Sequence, residues 1–113
     1  QKLTALVDDI AQKLASNNEY DLLKAVAPLT GNRQDTAAVL GMLKTVLRDA
    51  VAGGKRLSGL DNAVDALKGE FSKQKLFALY NAAQELEQAA NKNANSALLT
   101  TKICYSLRRA AGR

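Results

Sequence analysis

Apolar residues recur along this chain at intervals of three and four, and they nowhere alternate over a sustained run, so every segment reads as amphipathic helix. The first places Leu3, Leu6, Val7, Ile10 and Leu14 on one stripe and closes on the polar Ser16, Asn17 and Asn18. A short second helix is predicted from Glu19, stopped at Pro28 and turned at Gly31, since proline supplies no amide and glycine tolerates the turn. Asn32 can cap the next helix, with Asp35 three residues on as a capping-box acid. That helix holds the richest apolar stretch: Val39, Leu43, Val46 and Ala50 lie together, beside Leu40, Leu47 and Val51. Its polar flank carries Lys44, Thr45 and Arg48, and Gly53 and Gly54 can end it.

After the loop through Lys55 to Gly59, a shorter helix shows Leu60, Val64, Leu67 and Phe71 at helical spacing. Ser72 can cap the following one, whose stripe is Leu76, Leu79, Ala83, Leu86 and Ala90. The last helix starts near Asn95 or Ser96 and sets Leu99, Ile103 and Leu107 on one face, with Leu98 and Tyr105 widening its apolar surface. Short loops between amphipathic helices predict an all-α fold, a compact bundle of about five to six helices occupying residues 1–113 as a single domain. There is no internal repeat, low-complexity tract or interdomain linker.

Composition adds limits. With 47% apolar residues the 113-residue chain can build a core without disulfides or a metal. Its single cysteine, Cys104, forms no internal disulfide, which suits a reducing, cytoplasmic compartment, and it reads as a small buried apolar residue. No apolar run approaches the ~20 residues that span a bilayer, so no membrane is expected. Starting on Gln1 in mid-pattern, without an initiator methionine or a signal-peptide core, the chain reads as a piece of a longer protein. The net charge of +5 suggests nucleic acid, but the cations are interleaved with acids. The densest group, Lys102, Arg108, Arg109 and Arg113, sits where it complements the negative end of the last helix dipole. Solvated faces explain the charge better than a phosphate-binding surface does.

Catalytic chemistry is hard to find. Histidine is absent, which removes the commonest neutral-pH base and nitrogen ligand. Cys104 has no histidine to activate it, and no glycine-rich phosphate loop is present. Asp8 with Asp9, and Glu85 with Glu87, diverge on a helix and read as solvated charges rather than an acid–base pair. No catalytic residue, cofactor or metal site is expected. The few aromatics, Tyr20, Phe71, Phe77, Tyr80 and Tyr105, make no visible stacking platform among lysines and arginines.

The stretch from Asn91 to Asn95 is a compact helix connector in physical terms. Asn91 tolerates the left-handed end of one helix, Asn93 can fold onto the backbone, and Asn95 can cap the next helix, which is worth ~1 kcal/mol over alanine. Taken with the Arg48–Asp49 pair near the end of the long helix, and with Leu98 three residues after Asn95, this pattern resembles the C-terminal helical domains of clamp-loader subunits. The nearest resemblance is to the delta-prime subunits of bacterial DNA polymerase III. It runs from about Asp35 to Arg109, roughly two-thirds of the chain. Thr101 stands where that family usually has an acid, and the loop before Leu60 is looser; the same domain of a gamma/tau subunit stays open. A chain stopping at Gly112 and Arg113 favours delta-prime.

The resemblance implies a non-catalytic oligomerisation (collar) domain whose parent protein carries an AAA+ region ahead of it. Its partners would be other clamp-loader subunits (gamma/tau and delta), with DNA met only through the complex that loads the sliding clamp. Collar helices need a second apolar face, and the widest arcs supply the candidates: Val39, Leu43 and Leu47 on the long helix, and Leu99, Ile103 and Leu107 on the last. Central core helices would show the same arcs. Two other readings share the composition: an unrelated helical adaptor, and a basic nucleic-acid-binding module, which would need its cations on one face.

Overall fold

The computed structural model describes residues 2–16, 19–29, 33–52, 59–92 and 96–112. Every regular element among them is a helix: α1 (Lys2–Ala15), α2 (Glu19–Val26), a 3-10 turn (Ala27–Leu29), α3 (Arg33–Ala52), α4 (Asp61–Glu70), α5 (Lys73–Asn91) and α6 (Ser96–Ala110). The expected all-α bundle is thus what forms, and the proline stop appears as the 3-10 turn that carries Pro28. Asn32, Gly53, Gly54, Asn93 and Asn95 lie outside the described residues, as do the side chains of Leu98 and Leu99.

The two longest helices, α3 and α5, form the most extensive helix pair. They run antiparallel. Gly41 and Lys44 lie beside Glu87 toward one end, while Val51 and Ala52 share a groove with Phe77 toward the other. Around this pair, α1 packs on α2, α3 and α4, while α6 packs on α5 and α2. Burial follows the helical stripes. All five stripe residues of α5 are buried, and Val39, Leu40, Leu43, Val46, Leu47 and Ala50 of α3 are buried with them. Val7, Ile10 and Leu14 bury the inner face of α1, with Leu3 and Leu6 half-covered at its edge.

Helix ends show how short the connections can be. Ser72 caps α5 as its position suggests, its Oγ accepting from the Lys75 amide at 3.3 Å. Leu60 and Phe71, read as part of the α4 stripe, instead flank the helix at its two caps. They still turn inward, Phe71 becoming buried and Leu60 packing partly against the core. Thr36 is buried near the start of α3 and its hydroxyl donates to the Leu29 carbonyl at 3.4 Å, tying α3 to the preceding turn. The far end of α6 is held by α5, where Lys75 Nζ donates to the Ala111 carbonyl at 3.0 Å. A cation at a helix C-terminus is favoured by both the dipole and the free carbonyls there. Gly112, with φ of +80°, supplies the left-handed residue that ends α6.

Leu79→Ala at the centre of α5 is therefore expected to lower unfolding free energy by ~2–5 kcal/mol in urea titrations. Ser72→Ala should cost only ~1 kcal/mol, the worth of one N-cap.

Candidate functional site

Consecutive helical residues point about 100° apart, and the end of α3 uses this. Asp49 turns inward and is 2% exposed, and it is not left unpaired there. Arg48 turns outward and is exposed. The Arg48–Asp49 pair thus splits into a buried structural acid and a surface cation. Asp49 belongs to the interior of the domain, whereas Arg48 stands at the lip of a surface groove.

That groove, about 250 Å³, is lined by Arg48, Val51 and Ala52 of α3 and by Phe77 and Tyr80 of α5. Phe77 is 56% exposed, an unusual position for a phenylalanine on a helix whose inner stripe already supplies the core. Toward the middle of the two helices the groove continues past Gly41, Lys44, Thr45 and Glu87, sharing Arg48 and Tyr80. Lys44 Nζ lies 2.7 Å from Glu87 Oε1 and 5.8 Å from the centroid of the Tyr80 ring. Gly41 leaves room for this arrangement: a Cβ there would stand 3.1 Å from Glu87 Oε2. Glu87, read from sequence as a solvated charge, is instead half of a partly buried bridge between helices. An acid on one helix can meet a cation forty residues away, and helical spacing alone does not reveal it.

The bridge raises the Lys44 pKa above the ordinary 10.5. The hydrogen bond to Glu87 is the largest cause, opposed by desolvation and helped by the charges of Glu87 and Tyr80. A cation whose folded pKa is raised contributes its stability fully below the ordinary value and loses it as pH climbs through the raised one. At neutral pH this end of the groove is therefore a closed ion pair.

Arg48 differs: among the described residues it has neither an ion pair nor a hydrogen-bonded side-chain partner. The same holds for Lys73, which is exposed at the first turn of α5, four residues before Phe77 and hence on its face.

The residues expected to form a subunit interface are placed elsewhere. Val39, Leu43, Leu47, Ile103 and Leu107 are all buried within this chain's own core, at most 1% exposed. The expectation that they offer a neighbour a second face is corrected: wide apolar arcs on α3 and α6 arise because each helix packs against several others at once. Beside Arg48 the open apolar surface comes from Phe77, with Val51 and Tyr80 half-covered next to it, while Leu23 and the aromatic rings of Tyr20 and Tyr105 are exposed on α2 and α6. Sequence reading counted Phe77 and Tyr80 only as scattered aromatics. Their signal was position, since Phe77 directly follows Leu76 and so falls off the buried stripe of α5.

Cys104 is buried, as its type suggests. Among the described residues no cluster of histidine, cysteine or carboxylate side chains is arranged to hold a metal, and no helix is long and apolar enough to cross a membrane. Comparisons with protein-family models, with curated proteins and with solved structures find no match to this chain.

Glu87→Gln should bring the Lys44 titration back toward the ordinary lysine range, followed by carbon-13 shifts at Cε. Gly41→Ala is expected to move it the same way but less far, because the new methyl displaces a carboxylate whose other oxygen holds Lys44.

Proposed function

We propose that this domain assembles proteins, and that it does so as the collar domain of a clamp-loader subunit of DNA polymerase III, of the delta-prime kind. The observation that carries the assembly reading is the α3–α5 groove, where Phe77 is open to solvent beside Arg48, which has no ion pair among the described residues. Large exposed apolar side chains grouped with a cation mark surfaces that bind other proteins, because their burial releases water at little cost in side-chain entropy. The clamp-loader reading is supported by the resemblance in residues: the Arg48–Asp49 pair near the end of α3, the short helix after it, the asparagine connector, and the closing helix that follows with Leu98 three residues after Asn95. An all-α bundle is the architecture that reading requires.

In such a role the domain performs no chemistry. It holds its subunit beside the gamma/tau and delta subunits so that the complex can open the sliding clamp and place it on primed DNA, touching DNA only through the complex. Of the two faces such a helix needs, α3 and α5 turn one into the core and leave the other outside. A nucleic-acid-binding reading finds less support, since Lys44 is neutralised by Glu87 and Lys13 by Asp9 at 3.1 Å.

Light scattering on a sizing column, with the domain alone and mixed with the gamma/tau collar domain of the same organism, tests this. A mixed complex at micromolar concentration is expected. No association well above that range would remove the collar assignment.

A further inference from the structure

Resting on the reading of this domain as an assembly module, we propose that the α3–α5 groove docks a short acidic segment of a partner protein. That segment would place a large apolar side chain between Val51 and Phe77 and a carboxylate on Arg48. The groove provides the apolar half of this recognition through Val51, Ala52, Phe77 and Tyr80. The charge half follows from what is already paired. Lys44 is held by Glu87, so the mid-helix end of the groove is electrically closed. Arg48, where the two halves of the groove meet, and Lys73, one turn before Phe77, have no carboxylate on them among the described residues. Among the described residues no acidic side chain lines the groove at the Phe77 end. An apolar slot with an unpaired guanidinium beside it and a lysine one turn past its phenylalanine matches an apolar side chain flanked by Asp or Glu, and a guanidinium suits a carboxylate in particular.

Two other occupants fit less well. A second copy in a two-fold contact sets the same patch against itself, bringing Arg48 and Lys73 toward their own symmetry mates. A nucleic acid requires a row of free cations along its phosphates, and this groove offers two beside a closed ion pair.

The test selects a displayed library of short random peptides on the whole chain, then titrates the recovered peptides into isotope-labelled protein. Recovered sequences should combine Leu, Ile, Met or Phe with adjacent Asp or Glu and shift the amide signals of Val51, Ala52 and Phe77. Phe77→Ala and Arg48→Glu should each weaken binding at least about tenfold. Selection on the Arg48→Glu variant should lose the acidic preference. Tyr105→Ala removes an equally exposed aromatic from the separate cleft between α5 and α6, and should leave binding unchanged. Because Phe77 and Arg48 are exposed, both variants should keep the helical circular dichroism of the parent.

Peptides without acidic bias, shifts on other helices, or no recovered peptide would overturn the proposal. So would a dimer abolished by Phe77→Ala, or a single-stranded oligonucleotide that shifts the same amides. The two readings fail separately. A collar complex indifferent to Phe77→Ala and Arg48→Glu refutes the groove and leaves assembly standing, whereas groove binding of acidic peptides without any collar complex refutes the clamp-loader assignment alone.

Discussion

The antiparallel packing of α3 against α5 is the contact on which the rest of this domain depends. Both helices are long enough to bury a full stripe and still present an outer face, and in a folded protein most of a helix's stability comes from packing such a stripe rather than from propensity. Leu40, Leu43, Leu47, Leu76, Leu79 and Leu86 are all buried to within 1%. By removing these side chains from water the pair supplies much of the hydrophobic free energy of the fold. The other helices attach to it: α1 and α4 to α3, and α6 to α5. The same contact creates the outer groove, because two helix cylinders laid side by side leave a furrow between them.

What fills that furrow changes along its length, and the change gives the surface its character. At one end a glycine lets two helices approach around a lysine–glutamate bridge, so charge is cancelled and the furrow is occupied from within. At the other end the flanking residues are Ala52, Val51 and a phenylalanine that stays more than half exposed. That residue, Phe77, lies beside an Arg48 that has no ion pair among the described residues.

The polar interior is handled economically. Among the described residues every buried side-chain nitrogen or oxygen has a hydrogen-bond partner. Thr36 satisfies its hydroxyl on the turn before α3, and Asp49 is engaged within the domain. This matters for Asp49, since a buried carboxylate without partners would destabilise the domain by several kcal/mol. Its inward placement frees Arg48, its neighbour in sequence, to face solvent.

The helices, their stripes and the Ser72 cap were legible in the chain itself, because local periodicity and capping chemistry act over four residues and need no tertiary information. The burial of Cys104 and the stop at Pro28 were legible for the same reason. The choice between core and partner for Val39, Leu43, Leu47, Ile103 and Leu107 was not. An apolar arc records how much of a helix is covered, never by what, and here neighbouring helices of the same chain cover it. Nor could spacing pair Lys44 with Glu87, or set Phe77, though off the buried stripe of α5, beside Val51 and Arg48 of α3. Those facts depend on which helices lie side by side and in which direction, a property of the folded bundle that no single helix encodes.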